Sequence, residues 1–194
     1  AAQHTGRAVR WLNDRSESLL SDNHGRDCLY HARLALDADG HFLALDLTGA
    51  QAMGAYLSAA GAMIAVNTPL RCLSSVYRIP AMHARMRCVM TNTAPVGPYR
   101  GAGRPEANLI VESLVEAAAQ ATGINRIALR RRNLIAPADL PYATPFGETY
   151  DSGDFAGVLD HALALADWDG FAARRAADHA AGRLRGIGLG CYLE

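Results

Sequence analysis

The segment PYRGAGRPEA, residues 98–107, carries the residue types best suited to binding chemistry. Gly101 and Gly103 lack Cβ atoms, so backbone N–H groups can face an incoming group there. A helix that begins at Pro105 adds unpaired N–H groups and the positive end of its dipole. Together with Arg100, this arrangement predicts a site for an anion or an electronegative oxygen ligand. The alternative is a tight strand-to-helix turn in which Arg100 pairs with a carboxylate.

Other reactive residue types lack a catalytic arrangement. The seven histidines show no HExxH spacing, and the four cysteines form no CxxC pair, so neither pattern predicts a metal site. The glycines of GIGLG at 186–190 do not match a dinucleotide fingerprint because no helix follows them, and they indicate close strand packing. Methionines at alternate positions of 82–90 are typical of a core face rather than of a metal or cofactor site.

The composition is that of a soluble globular chain of 194 residues, 50% apolar and 20% charged. Its formal net charge is zero, so no broad basic field indicates nucleic acid binding. No apolar run reaches about 18 residues, so no transmembrane helix is predicted. Cysteine usage predicts a reduced, cytoplasmic chain. AAQHTG reads as the last turn of a helix and RLRGIGLGCYLE as an interrupted strand, so we expect both ends to be truncated.

The pattern around these residues predicts an α/β chain of the α+β type, with a mixed sheet and helices packed against it. A hairpin is expected to turn at Asp37–Gly40. Glu112 and Glu116 are expected on a flanking face of the long helix, and the arginines at 130–132 to be solvated or ion-paired. Strands are expected at 7–12, 28–36, 41–48, 82–91 and 183–193, and helices at 14–22, 55–66, 105–122, 125–134, 152–168 and 171–181.

Residues 91–135 resemble the molybdenum-binding large subunit of the xanthine oxidase/aldehyde oxidase family. That family has a turn of the form (A/P)-[FY]-R-G-x-G-x-P, then a helix bearing glutamate and an LRxxN ending, all of which this segment contains. HTGRAVRW, DRSESL, YRIP and YDSGD also occur here in the family's order. The resemblance therefore extends over almost the whole chain.

The resemblance implies that Tyr99, Arg100, Gly101, Ala102 and Gly103 lie against a molybdopterin cofactor in the full-length protein. It assigns no catalytic residue and no metal ligand within this chain. The cofactor is molybdopterin or its cytosine dinucleotide form, and we expect the chain alone to bind little of it. The family's glycine-rich loop would lie before Ala1 and its glutamate base after Glu194.

Differences within the turn separate the subfamilies. Carbon monoxide dehydrogenases carry a copper-binding cysteine where Gly101 stands, so that copper site cannot form here. Purine-oxidising members have a stacking phenylalanine where Ala102 stands, and an arginine near Thr68, whereas Arg71 is out of register. The turn is most similar to that of the form II relatives of carbon monoxide dehydrogenase.

The implied function is that of part of the catalytic subunit of a molybdenum hydroxylase. Such an oxidoreductase oxidises an aldehyde or N-heterocycle with water as the oxygen source, and works with an iron–sulfur subunit and a flavin subunit. Residues 1–138 would belong to a first molybdenum cofactor-binding domain, 139–151 to a linker and 152–194 to the start of a second such domain. The alternative is a non-catalytic structural or assembly fragment or paralogue without bound cofactor.

Overall fold

Three strands form a mixed sheet at the centre of the chain. In this computed structural model, which describes residues 1–193, the order is β1–β2–β3. The strands are β1 (Cys28–Leu36), β2 (Phe42–Gly54) and β3 (Ala81–Met90). β1 and β2 are antiparallel, whereas β2 and β3 are parallel. The predicted α+β fold with a mixed sheet is confirmed.

The predicted hairpin between β1 and β2 is also confirmed. Gly40 has a φ of 87°, and the Asp37 Oδ1 accepts hydrogen bonds from the N–H groups of Asp39 at 3.0 Å and His41 at 2.8 Å. This closes a turn that the sequence Asp-Ala-Asp-Gly favours. β2 continues to Gly54, beyond its expected end at residue 48, because the parallel partner β3 supplies hydrogen bonds that far.

Helices pack against one face of this sheet, and a small second sheet lies late in the chain. The α-helices of the described residues are α1 (Ala2–Thr5), α2 (Arg15–Ser21), α3 (Thr68–Arg71), α4 (Arg104–Thr122), α5 (Arg126–Asn133), α6 (Phe155–Leu165) and α7 (Phe171–Ala180). A π-helical turn at Met63–Asn67 precedes α3, and a 3-10 turn spans Pro137–Asp139. The second sheet pairs β4 (Tyr142–Ala143) with β5 (Thr149–Tyr150).

The core lies between β2, α4 and α5. Leu45 and Leu47 of β2 are almost completely buried with Val111 and Val115 of α4 and Leu129 of α5. These α4 residues recur at helical spacing, so the helix turns one apolar stripe toward the sheet. Gly123, with a φ of 73°, ends α4 as predicted. α4 is thereby held with its first turn at one end of the sheet.

A buried ion network in this core differs from the prediction. Glu112, expected on a flanking face, is buried, accepts a hydrogen bond from the Tyr77 hydroxyl at 2.6 Å and pairs with Arg130 at 2.6 Å. Arg130 also pairs with Glu116 at 2.8 Å. Its ion pairing is confirmed, but its guanidinium is fully buried instead of lying at the surface. Helical spacing could not reveal this, because Glu112 and Arg130 lie on different helices.

Two predicted strands are wrong. Residues 7–12 and 183–193 have no regular secondary structure, and Trp11 and Leu184 are 75% and 95% exposed. An alternating pattern needs a partner strand to become a β-strand, and neither segment pairs with one among residues 1–193. The close strand packing expected at GIGLG is also wrong, since a Cβ on Gly186 or Gly188 would have open space within 4 Å.

Two further boundaries are corrected. The helix expected at 55–66 is a loop up to residue 60, because the chain turns sharply after Gly54, whose φ is 83°; the π-helical turn follows only at Met63. The core-facing stripe of β3 covers only Met82, Ala84 and Met86, which are half-buried, whereas Cys88 and Met90 are exposed. Among the described residues, no helix is both long and apolar enough to cross a lipid bilayer.

Candidate functional site

The loop Tyr99–Gly103 curls tightly into the first turn of α4. Gly101, Ala102 and Gly103 have φ values of 90°, 44° and 99°, three consecutive residues in the left-handed region. The N–H of Ala102 donates to the Tyr99 carbonyl at 2.6 Å, and the N–H of Arg104 donates to the Gly101 carbonyl at 2.9 Å. Two overlapping turns result, and the glycines that flank Ala102 can adopt the positive φ values that these turns require.

These turns leave donors without acceptors. Within residues 1–193, the N–H groups of Gly101 and Gly103 donate to no protein group. Both lie beside the N-terminus of α4, a helix of 19 residues whose dipole presents positive charge there. The arrangement is the one expected of an anion-binding helix start.

The side chain of Arg100 supports this interpretation over a simple turn. It is exposed, and it forms no ion pair with any carboxylate in the described part of the chain. The tight turn of the alternative is present, but its pairing of Arg100 with a carboxylate is not formed among residues 1–193. The Tyr99 ring, 64% exposed, lies at the same surface. Tyr99 and Arg100 are thus exposed just ahead of α4, Gly101 is partly exposed and Gly103 is buried.

The rear of the loop rests on the π-helical turn and α3. A Cβ built on Gly103 would lie 2.8 Å from the Ile64 carbonyl oxygen and 2.8 Å from the Pro69 Cδ. A Cβ on Gly101 would lie 2.5 Å from the Pro105 Cγ. Each glycine is therefore required both for its backbone conformation and for close packing. π-helical turns of this kind occur often at functional sites.

Sequence reasoning missed two residues that contact the loop, Arg26 and Glu106. The Arg26 guanidinium lies 4.6 Å from the centre of the Tyr99 ring and donates to the Arg100 carbonyl. Its Nε lies 3.3 Å from the Glu106 Oε1. Gly25 permits this approach, because a Cβ there would lie 2.8 Å from the Tyr99 Cβ. A glutamate in the first helical turn was a visible signal, but its partner is far away in sequence.

The surroundings of Glu106 are low in polarity. Its Oε2 is buried without a hydrogen-bond partner among residues 1–193, and so is the hydroxyl of nearby Tyr30. Burial raises the pKa of Tyr30 and of Cys28, and the negative charge of Glu106 raises both further. Cys28 is therefore a neutral thiol at physiological pH and not an activated nucleophile.

The donor set fits the cofactor that the sequence implies. Molybdopterin carries a phosphate, and backbone N–H groups at a helix start beside an arginine are suited to such an oxygen-rich anion. Among the described residues, no cluster of histidine, cysteine or carboxylate side chains could hold a metal ion.

Comparison with known proteins supports this assignment. The profile of the molybdopterin cofactor-binding domain matches residues 1–134. The 6-hydroxypseudooxynicotine dehydrogenase complex subunit gamma of Paenarthrobacter nicotinovorans is 33% identical over 100% of this chain, and the carbon monoxide dehydrogenase large chain of Hydrogenophaga pseudoflava is 34% identical over 97% of it. The chain spans 25% and 24% of the lengths of these two relatives.

A solved structure shows the same architecture. Quinoline 2-oxidoreductase from Pseudomonas putida 86 matches with a TM-score of 0.84 at 30% identity, over 93% of this chain and 23% of that one. The profile match covers most of the chain and includes the whole Tyr99–Gly103 loop. The resemblance found in the sequence is confirmed, and the chain belongs to the molybdopterin cofactor-binding domain family.

Proposed function

We propose that this chain is part of the catalytic large subunit of a molybdenum hydroxylase, and that the loop Tyr99–Gly103 contacts the cofactor. The observation that carries the proposal is the curled loop directly ahead of the positive end of α4, in which Arg100 is exposed and the N–H groups of Gly101 and Gly103 have no acceptor among residues 1–193. When bound, the molybdopterin cofactor supplies the oxidation of substrate with water as the oxygen source. This chain's own residues bind and orient it.

Each loop residue has a distinct role in this proposal. Arg100 contributes a positive charge that persists at any working pH, because a guanidinium does not deprotonate in proteins. Gly101, which is partly exposed, allows a close approach to its N–H group, whereas buried Gly103 shapes the turn against Ile64 and Pro69. Ala102 presents only a methyl group and leaves room for a substrate beside the cofactor. Tyr99 forms the exposed rim of the loop.

N-heterocycles are the substrate class that we favour, with aldehydes as the second. Quinoline, named for one relative, is an aromatic N-heterocycle. Gly101 cannot act as a copper ligand, and Ala102 cannot stack on a purine ring, so the turn favours neither carbon monoxide nor purines.

The proposal also covers the wider protein. It includes an iron–sulfur subunit and a flavin subunit as electron-transfer partners, and a cytoplasmic location. One relative bears the name of a subunit of a complex, which supports the partners. We retain the domain division at 1–138, 139–151 and 152–194, and the cytosine dinucleotide form of the cofactor as an alternative to plain molybdopterin.

The test uses a full-length subunit that contains this sequence. Arg100→Ala removes charge-assisted hydrogen bonds worth about 1.5–3 kcal/mol, so cofactor affinity should fall about 10- to 100-fold. Gly101→Val adds side-chain atoms where a Cβ already lies 2.5 Å from the Pro105 ring, and should displace the loop. Molybdenum content and oxidation of a quinoline are measured on the same preparations.

Two variants serve as matched controls. Arg87→Ala removes an exposed arginine on β3, and Gly182→Val alters a glycine with a φ of 72° and open space around it. Both should keep normal molybdenum content and turnover. If Arg100→Ala and Gly101→Val also keep both, the loop is only a tight turn and the proposal fails. The 194-residue chain alone should retain little molybdenum.

A further inference from the structure

Arg26 contacts two residues of the loop and one residue of the helix that follows it. Its guanidinium faces the Tyr99 ring, donates to the carbonyl of Arg100 and pairs with Glu106 in the first turn of α4. The three contacts therefore span the entry of the loop, its middle and the helix that follows. A single planar guanidinium with five donors can bridge groups in this way, whereas an ammonium cannot.

Arg26 is itself fixed to the backbone that leads into the loop. It has a φ of 59°, an uncommon conformation for a residue with a side chain. Two residues before it, His24 forms a parallel bridge with Val96, in which the N–H of Gly97 donates to the His24 carbonyl at 2.8 Å. Two residues after it, β1 begins at Cys28. The backbone of Arg26 thus lies between a bridge to the segment that leads into the loop and the first strand of the sheet.

Among residues 1–193, Arg26 is the one cation that pairs with Glu106, and this makes the pair important. Its side chain is only 10% exposed, and its Oε2 has no hydrogen-bond partner within residues 1–193. A carboxylate so buried depends on its one cation, and removal of Arg26 would leave that charge uncompensated. The strained loop and the buried carboxylate are consequently stabilised by the same residue.

We propose that Arg26 and Glu106 form a clamp that holds Tyr99–Gly103 in the conformation that receives the cofactor. Arg26 is a positioning residue, since its side chain contacts the loop from the protein side. Gly101 and Gly103 take positive φ values readily, but Ala102 between them carries a Cβ. Its left-handed conformation persists only where the surrounding structure determines it, and the clamp is the side-chain part of that surrounding. The effect of this clamp on cofactor binding rests on the proposed function. The mechanical claim, that the clamp stabilises the loop conformation, does not depend on it.

The mechanical claim is tested on a full-length subunit that contains this sequence, by hydrogen exchange followed by mass spectrometry. The amides of Ala102 and Arg104 are hydrogen-bonded within the loop and report whether it stays closed. Arg26→Ala should speed their exchange at least about tenfold, because charge-assisted bonds are lost. Arg33→Ala is the matched control, because the Arg33 side chain is 84% exposed and pairs with Asp46 on β2. It should leave the exchange rates of these amides unchanged.

Two milder variants keep the test valid if Arg26→Ala does not fold. Arg26→Lys retains the charge near Glu106 but not the bridging geometry, so exchange should lie between that of wild type and Arg26→Ala. Glu106→Gln removes the ion pair and leaves the other two Arg26 contacts, so it should also be intermediate. Unchanged exchange of the loop amides in all folded Arg26 and Glu106 variants would overturn the clamp.

Molybdenum content then separates this inference from the proposed function. In the full-length subunit, Arg26→Ala should lower molybdenum content and raise the rate of cofactor loss, and Arg26→Lys should restore part of it. Faster loop exchange with full molybdenum retention would show that the clamp does not prepare the loop for cofactor. A wild-type subunit without molybdenum would instead refute the proposed function and leave the exchange result standing.

Discussion

The two glycines that bound α4 allow backbone strain to be separated from steric exclusion. Gly103 precedes the helix with a φ of 99°, and Gly123 follows it with a φ of 73°. A Cβ at Gly103 would meet the Ile64 carbonyl oxygen at 2.8 Å, whereas a Cβ at Gly123 would meet nothing within 4 Å. Alanine at either position carries the cost of the left-handed conformation, but only Gly103→Ala also collides with backbone.

The expected magnitudes follow from these two contributions. The left-handed conformation costs about 1 kcal/mol for a residue with a Cβ, which is the whole effect expected of Gly123→Ala. Forcing an extra methyl group into a packed site costs about 1–3 kcal/mol more, so Gly103→Ala should lose about 2–4 kcal/mol. In a chain of this size, those losses correspond to about 2–4 °C and about 4–16 °C in the melting temperature.

Urea unfolding followed by circular dichroism measures both losses on the same chain. Gly103→Ala should lower the midpoint more than Gly123→Ala, with unchanged dependence on denaturant if the folded state stays compact. Hydrogen exchange of the loop amides should rise in Gly103→Ala alone. Equal destabilisation by the two substitutions would refute the reasoning, because it would mean that the π-helical turn yields freely to a methyl group at the loop.

Three further predictions concern the polar groups that hold the core and the late helices. Arg130→Met leaves the Glu112 carboxylate buried without its nearest cation, so the free energy of unfolding should fall by about 3–5 kcal/mol in urea titration; Glu112→Gln in the same chain should recover part of the loss. Asn133→Asp removes the amide that donates to the Gly40 carbonyl at 2.9 Å, and should lower the melting temperature by several degrees, measured by calorimetry at neutral pH. Hydrogen bonds from the guanidinium groups of Arg185 and Arg183 hold the pKa of Asp178 below its ordinary value. This carboxylate therefore stabilises the fold above about pH 4 and loses that effect as the pH falls through its lowered pKa. The melting temperatures of wild type and Asp178→Asn should accordingly converge on acidification.

The features that the sequence predicted well are those with local causes. The turn at Asp37–Gly40 follows from an aspartate that accepts from nearby N–H groups and a glycine that takes a positive φ. The end of α4 at Gly123 likewise arises within a few residues. In the site, Gly101 and Gly103 were recognisable for the same reason, since the turn is encoded by consecutive residues.

The features that the sequence did not reveal depend on distant partners. Residues 7–12 and 183–193 have the alternation of strands, but no strand among residues 1–193 completes them. Arg26 lies 74 positions from the carbonyl that it binds, so no window of sequence contains the pair. Glu112 looked like a flanking charge because nothing in α4 itself indicates that Arg130 comes from the next helix to meet it.

These distant ion pairs explain how α4 delivers its first turn to the loop. Glu106 and Glu112 are six residues apart and so about 9 Å apart along the axis. Each is held by an arginine from a different element, Arg26 ahead of β1 and Arg130 in α5. A buried ion pair is a weak source of stability, because desolvation offsets much of its attraction, but separating its partners is expensive. The two ion pairs lie at different positions along the axis of α4. They therefore restrict translation of the helix along its axis and rotation about it more strictly than its non-directional apolar contacts do. The polar groups inside this fold therefore act mainly on position, and the position that they fix is that of the helix start where Gly101 and Gly103 leave their N–H groups free.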